Sequence, residues 1–163
     1  MTQENDARER RAFMTGTIAG LAGGAALMAG GNAAAASNVR LTGLDPDGAP
    51  AADSGYTPGI KAERGQTVIF VSGQGPEDYN ADMETQMRQT FDRIGKVLAE
   101  AGAHFGNVVI LRSYFVDIAR DLPAYRKVRK EYLKQPYPAS TAVGTPALAI
   151  PGLQFEIEAV AIL

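Results

Sequence analysis

The chain of 163 residues contains no cysteine and a single histidine, His104. The absence of cysteine excludes disulfide bonds, thiolate metal sites and a cysteine nucleophile, so stability must come from packing or from assembly. His104 follows a predicted helix in a loop without further metal ligands nearby, which disfavours a metal site and a Ser–His pair. Gly73-Gln74-Gly75 lacks the further glycine of a dinucleotide-binding loop and is typical of a turn. The sequence therefore predicts no cofactor.

The chain also has no excess of basic charge. It carries 16 basic and 18 acidic residues, a net charge of −2. Such a balance provides no broad attraction for a polyanion. We therefore do not expect nucleic acid among the partners.

Charge is missing altogether from residues 12–36, which follow a polar segment ending in Arg10-Arg11. The uncharged stretch is rich in glycine and alanine and would gain little from remaining in a bilayer, so a retained membrane anchor is the weaker interpretation. The string ERRAFM from Glu9 resembles the twin-arginine export signal, and Ala33–Ala36 offers the small residues that a signal peptidase needs.

This resemblance divides the chain into a signal peptide, residues 1–36, and a mature domain, residues 37–163. It implies export in the folded state to the periplasm, without stable membrane insertion after cleavage. A flexible, low-complexity tail is the alternative interpretation of the first segment, because runs of glycine and alanine bury little surface.

The mature domain shows the alternating and helical periodicities of an α+β protein, in the order ββαβαββ. Three prolines and five glycines break the chain between residues 37 and 65, which predicts a loop there after a first short strand. Asp121 is the predicted cap of the second helix. The predicted elements are strands Asn38–Leu44 and Gln66–Gly73, helix Asp82–Ala101, strand Asn107–Asp117, a helix from Asp121, and strands Ser140–Leu148 and Gln154–Leu163.

This order places two helices on one face of a mixed sheet. The opposite face also bears many apolar residues and needs a cover. Self-association into a homo-oligomer would supply one, while coverage by loops is the alternative.

Three segments together resemble the RidA (YjgF) family of imine and enamine deaminases: VIFVSGQGP from Val68, LAEAGAHFGNVVILRSYFVDI from Leu98, and PAST followed by FEIEAVA from Phe155. The resemblance spans about Tyr56 to Leu163. It implies a chorismate-mutase-like α+β fold and a homotrimer with clefts between subunits. It also implies cofactor-independent hydrolysis of a small reactive imino or enamino metabolite.

The resemblance also indicates site residues. Ser72-Gly73 stands where the family places a serine and glycine at the cleft, and Glu156 stands where a carboxylate positions or activates the hydrolytic water. A carboxylate can relay protons during addition to a C=N bond. The alternative is that Glu156 is an ordinary surface glutamate on an edge strand.

Two positions depart from the family pattern. Ser140 replaces the arginine that grips the substrate carboxylate through two charge-assisted hydrogen bonds, which serine cannot form. Gly59 stands in place of a cleft tyrosine, although Tyr56 is close by. Arg129 on the second helix is a candidate substitute for binding the substrate. The alternative is that it belongs to the solvated face of that helix with its basic neighbours.

Two functions therefore remain open. The first is an exported trimer that hydrolyses or binds a small carbonyl-derived or imine-like metabolite, and does not hold it by pairing a carboxylate of the metabolite with an arginine. The second is a binding or stress-protective trimer that has kept the fold without catalysis. The ribonuclease activity reported for some relatives is the poorest fit to an acidic chain.

Overall fold

The structure is a computed structural model that describes residues 38–47 and 53–163. The predicted signal peptide lies outside these residues. Within the described part of the chain, no helix has the length and apolar character needed to cross a membrane. The elements are β1 Arg40–Leu44, β2 Gly59–Glu63, β3 Val68–Gln74, α1 Met83–Glu100, β4 Val108–Phe115, α2 Ile118–Tyr132, β5 Ala139–Gly144 and β6 Phe155–Ile162.

The strands form a two-stranded ribbon, β1–β2, and a four-stranded sheet in the order β3-β6-β4-β5. In the larger sheet β6 runs antiparallel to both β3 and β4, whereas β5 runs parallel to β4. The parallel pair is possible because α2 crosses over between β4 and β5. The predicted mixed sheet is confirmed.

The strand β2 corrects the prediction of a continuous loop between β1 and β3. All three prolines of that region precede Gly59, so none of them removes a hydrogen-bond donor from β2. The strand ends at Glu63. The next residue, Arg64, has a φ of 66°, and this left-handed conformation turns the chain away from the ribbon. The element order is therefore βββαβαββ.

Two predicted boundaries were also wrong. The cap of α2 is Asp117, which accepts a hydrogen bond from the backbone N–H of Arg120 at 3.0 Å. Asp121 lies inside the first turn, where its buried carboxylate accepts a bond from the Arg120 side chain at 2.6 Å. β5 ends at Gly144 rather than Leu148, because Pro146 cannot continue the pairing.

Both helices pack on one face of the larger sheet, as predicted. The spacing of apolar residues in the sequence predicts a stripe along α1 from Met83 to Leu98. Met83 is partly buried, and the part of the stripe from Met87 to Leu98 is fully buried. It meets the alternate side chains of the two central strands, since successive strand residues point to opposite faces. The buried residues that form this core include Met87, Phe91, Ile94, Leu98, Leu111, Phe115, Tyr125, Val128, Phe155 and Ile157.

The opposite face of the sheet is open. The side chain of Phe70 is 77% exposed, that of Val68 is 52% exposed and that of Val143 is 41% exposed. Within the described residues no loop covers these side chains, which is what the sequence pattern predicted for a face that requires a partner.

Candidate functional site

The candidate site lies on the open face, where β3 and β6 lose their regular register. The pairing shifts between Val71 and Gln74 of β3, so that Ser72 and Gly73 form a bulge. Glu156 is the second residue of β6, in a strand whose residues alternate between buried and half-buried. Since Phe155 and Ile157 face the helices, Glu156 faces the opposite side with the bulge.

Gly73 lies directly beneath the Glu156 carboxylate. A Cβ atom at position 73 would lie 1.7 Å from Oε1 and 2.6 Å from Cδ of Glu156. Only glycine leaves room for this approach without moving the carboxylate. Two of the predicted site residues are therefore brought into contact, although they are 83 positions apart in the sequence, and exposed Ser72 adjoins them.

A row of side chains extends from this contact across the open face. The register pairs Glu156 with Tyr114 of β4, and Tyr114 with Val143 of β5. Directly paired residues of neighbouring strands point to the same side of the sheet. The carboxylate is thus flanked by an aromatic ring and, beyond it, by an aliphatic side chain.

The neighbouring row contains an ion pair. Arg112 of β4 and Glu158 of β6 are register partners, and the Nη1 of Arg112 lies 2.7 Å from Oε1 of Glu158. Both side chains are partly exposed on the open face. The guanidinium nearest to Glu156 along the strands is therefore already paired with another carboxylate.

Ser140 does not join Glu156 within one chain. Its register partner is Leu111, which is completely buried beneath the helices, so the side chain of Ser140 belongs to the helix-covered face. β5 and β6 are also separated by β4, a distance of about 10 Å. A cleft that contains both Ser140 and Glu156 requires a second copy of the chain.

Arg129 lies in the helix layer and is only 5% exposed. Its Nη2 donates a hydrogen bond to the carbonyl oxygen of Ser54 at 2.5 Å. Its guanidinium carbon lies 5.7 Å from the ring centre of Tyr56 and 5.1 Å from that of Tyr125. Arg129 thus fixes the segment that precedes β2, and the solvated-face interpretation is wrong for this residue.

The three basic neighbours of Arg129 on α2 do lie on the solvated face of the helix. Arg126, Lys127 and Lys130 are exposed.

The segment held by Arg129 borders a cavity of about 360 Å³ between the ribbon and the start of β5. The lining residues are Gly43, Asp45, Tyr56, Thr57, Gln135, Pro136 and Tyr137.

Two loops border the end of the sheet that carries Glu156. The loop after β3 is held by Arg93, whose Nη1 donates to the carbonyl oxygens of Gly75 and Pro76 at 3.1 and 3.2 Å. The loop before β6 meets it, since a Cβ atom at Gly75 would lie 2.6 Å from Leu153. These contacts fix the backbone on both sides of the candidate site.

Sequence reasoning missed Tyr114 and Arg112 as neighbours of the site. The signal was present, because both occupy alternate positions of a strand in which every remaining position except Ser113 is apolar. The register that places them beside Glu156 and Glu158 could not be read from the sequence.

Over the described residues, no group of three or more histidine and acidic side chains could hold a metal ion.

The chain matches the family model described as Endoribonuclease L-PSP over residues 47–163. It is 35% identical to the RutC family protein YjgH of Escherichia coli over 105 residues, which cover 61% of this chain and 79% of that protein. It is 32% identical to the 2-iminobutanoate/2-iminopropanoate deaminase of Homo sapiens over 120 residues, covering 70% and 84% of the two chains.

Among solved structures, the Rid family protein YyfB of Yersinia pestis superimposes with a TM-score of 0.67 at 27% identity. The superposition covers 76% of this chain and 98% of that protein. The match of fold agrees with the two helices on a mixed sheet, and the family model spans most of the chain. This chain therefore belongs to the Endoribonuclease L-PSP family, which is the RidA (YjgF) family.

Proposed function

We propose that the protein is a hydrolytic deaminase of a small reactive imine or enamine, acting at clefts between the subunits of a homotrimer. The observation that carries this proposal is the Glu156 carboxylate, which lies over the side-chain-free Gly73 in a bulge on the open face. Relatives named as deaminases of 2-iminobutanoate and of 3-aminoacrylate support the reaction class.

The geometry suits addition of water to a C=N bond. Water adds to the carbon while the nitrogen takes up a proton, and the resulting carbinolamine releases ammonia and leaves a carbonyl group. The Glu156 carboxylate accepts the proton from the water and passes it to the nitrogen, a relay that requires the carboxylate within hydrogen-bond reach of both. Glu156 is half-buried on the open face, so a substrate can reach its carboxylate.

Two features support the homotrimer. The apolar side chains of the open face, such as Phe70, are too exposed for an isolated domain, and a second copy would cover them. Ser140 and Glu156 lie on opposite faces of the sheet, so a shared cleft needs residues from two chains. The family implies three copies, and analytical ultracentrifugation of the full chain tests that number.

The first experiment compares the full chain with two site variants, using 2-iminobutyrate and its counterpart without a carboxylate, propan-1-imine, each generated in the assay. Glu156→Ala should reduce turnover at least about a hundredfold, the usual contribution of a general acid–base group. Gly73→Ala should also reduce turnover while the protein stays folded, because the displaced group is the end of a flexible side chain. Glu100→Ala, an exposed change at the end of α1, serves as the control and should have no effect.

The alternative function is a small-molecule-binding or stress-protective trimer without catalysis. The loss of the family's arginine and tyrosine, at Ser140 and Gly59, favours it. A folded trimer that binds ligands at the site but does not accelerate imine hydrolysis would establish this alternative.

We also propose that the protein acts in the periplasm, because the start of the chain resembles a twin-arginine signal. Replacing Arg10 and Arg11 with lysine in the full chain should leave the protein unprocessed in the cytoplasm. Cell fractionation followed by intact mass measurement tests this, and unchanged export of the variant would contradict it.

A further inference from the structure

We infer that the site selects against carboxylate-bearing substrates and accepts imines that lack a carboxylate, preferably in the protonated, cationic form. This inference rests on the proposed function and names its substrate class. It depends on the charges that line the open face around Glu156 and on the residues that surround that site.

The carboxylate of Glu156 has no charged partner among the described residues. Its side chain is half-buried, and no ion pair or hydrogen bond joins it to another described side chain. Arg112, the nearest cation by register, pairs with Glu158 at 2.7 Å. The two rows together therefore carry one net negative charge, located at Glu156.

Two further stretches of chain border this site. Arg93 belongs to α1, on the opposite face of the sheet, and its Nη1 donates to the carbonyl oxygens of Gly75 and Pro76. The segment that leads into Glu156 provides no cation. Residues 135–155 contain no charged side chain. They include all of β5 and the whole loop that leads into Glu156, where Ile150 is 49% exposed. If a second copy places β5 in the cleft, the segment around Ser140 that it adds is also uncharged.

The residues beside the carboxylate also suit a ligand that combines a positive charge with an apolar body. Tyr114 is its register partner on β4, and Val143 lies one strand further away. An aromatic face attracts a cation, and the attraction grows as the site loses water. A protonated imine would combine this contact with the charge of Glu156, and protonation also makes its carbon more reactive towards water.

A substrate carboxylate would meet the opposite conditions. Like charges about 4 Å apart repel each other, and the repulsion strengthens when a covering subunit excludes water. Glu156 attracts a cationic ligand and repels an anionic one. The two effects together predict that the cationic ligand binds at least about tenfold more tightly than the anionic one.

The binding test uses three ligands that share a phenyl ring, are similar in size and differ in charge: benzylamine, benzyl alcohol and benzoate. Calorimetry with the full chain should show benzylamine binding at least about tenfold more tightly than benzoate, with benzyl alcohol between them. Glu156→Gln, which keeps the shape of the side chain, should remove the preference for benzylamine over benzyl alcohol. Equal or tighter binding of benzoate, or binding of none of the three, overturns the inference.

A kinetic test separates this inference from the proposed function. The imine of 2-phenylethylamine, made by an amine oxidase, and the imino acid of phenylalanine, made by an amino acid oxidase, differ only in the carboxylate. The inference predicts a higher kcat/KM for the first. A higher value for the imino acid overturns the inference and leaves the deaminase proposal intact. Absence of turnover with both imines, with the binding order as expected, overturns the deaminase proposal alone.

Discussion

The two faces of the four-stranded sheet are built by alternate residues of the same strands, yet they differ in what covers them. On the face beneath the helices, Phe115 and Phe155 are completely buried, whereas Phe70 on the other face is 77% exposed. The covered face is completed by the chain itself, and the open face carries the candidate site. The difference shows that apolar residues on a strand indicate that the face is to be covered. They do not indicate whether the same chain or another copy covers it.

The largest expected effect comes from breaking the covered face. Phe155→Ala removes a ring that packs against Phe115 and Tyr125, with ring centres 4.9 and 5.7 Å away. We expect the free energy of unfolding to fall by about 3–5 kcal/mol, because the cavity collapses only partly. Urea denaturation measures this. Val97→Ala, at an exposed site on α1, should change it by less than about 0.5 kcal/mol.

The next effect concerns the open face. Phe70→Asp places a charge where the proposed trimer buries an aromatic ring. Burial of such a ring stabilises by about 1.5–3 kcal/mol, so the dissociation constant of the assembly should rise by at least about tenfold. Sedimentation over a range of concentrations tests this, with Val97→Asp as the control. If Phe70→Asp sediments like the unmodified chain, the open face is not the contact between copies.

A smaller effect should follow from a change in the helix layer. Arg129→Lys loses the bond to Ser54 and the stacking of a planar group between two tyrosines, and a hydrogen bond to a charged group contributes about 1.5–3 kcal/mol. We expect a loss of stability in that range. The same change at Arg126, which is exposed, should be nearly neutral, and equal losses at both positions would show that Arg129 does not hold the segment before β2.

The smallest effect involves the outer surface of the two helices. Lys127 and then Arg88 lower the pKa of Glu84 by hydrogen bonding, and Arg88 lowers the pKa of Glu131 in the same way. A carboxyl group with a lower pKa in the folded state stabilises the fold above its ordinary value of 4.5, and this contribution is lost as the pH falls through the folded-state pKa.

The free energy of unfolding should therefore decline below about pH 4.5, and Glu84→Gln combined with Glu131→Gln should make that decline shallower. Chemical denaturation at a series of pH values measures the slope. Glu100→Gln, which changes an exposed glutamate outside these ion pairs, should leave the slope as it is. Identical slopes for all three proteins would show that the ion pairs between the helices contribute nothing measurable.

The sequence predicted the elements that depend on periodicity. The stripe from Met87 to Leu98 and the alternation in β6 were sufficient to place the helices on one face and to leave the other open. β2 escaped prediction because its neighbouring prolines suggested a loop, although none of them lies within the strand. Asp121 was mistaken for a cap because its burial inside the first turn of α2 depends on tertiary packing.

The candidate site was only partly predictable. Ser72, Gly73 and Glu156 could be named from their motifs, but the contact between Gly73 and Glu156 depends on a bulge that no local pattern reveals. Arg129 could not be assigned to the helix layer, since its partners Ser54 and Tyr56 are more than 70 positions away. The separation of Ser140 from Glu156 follows from the strand order, which the sequence did not provide.

The bulge in β3 has a second consequence, which concerns solubility. In the described part of the chain β3 pairs with β6 alone, so its outer edge presents free backbone donors and acceptors beside the exposed ring of Phe70. A long, flat and apolar edge of this kind invites pairing with the edges of other molecules. The irregularity at Ser72 and Gly73 shortens the regular part of that edge and increases its twist. The distortion that seats a carboxylate over a glycine therefore also limits uncontrolled growth of the sheet from one molecule to the next.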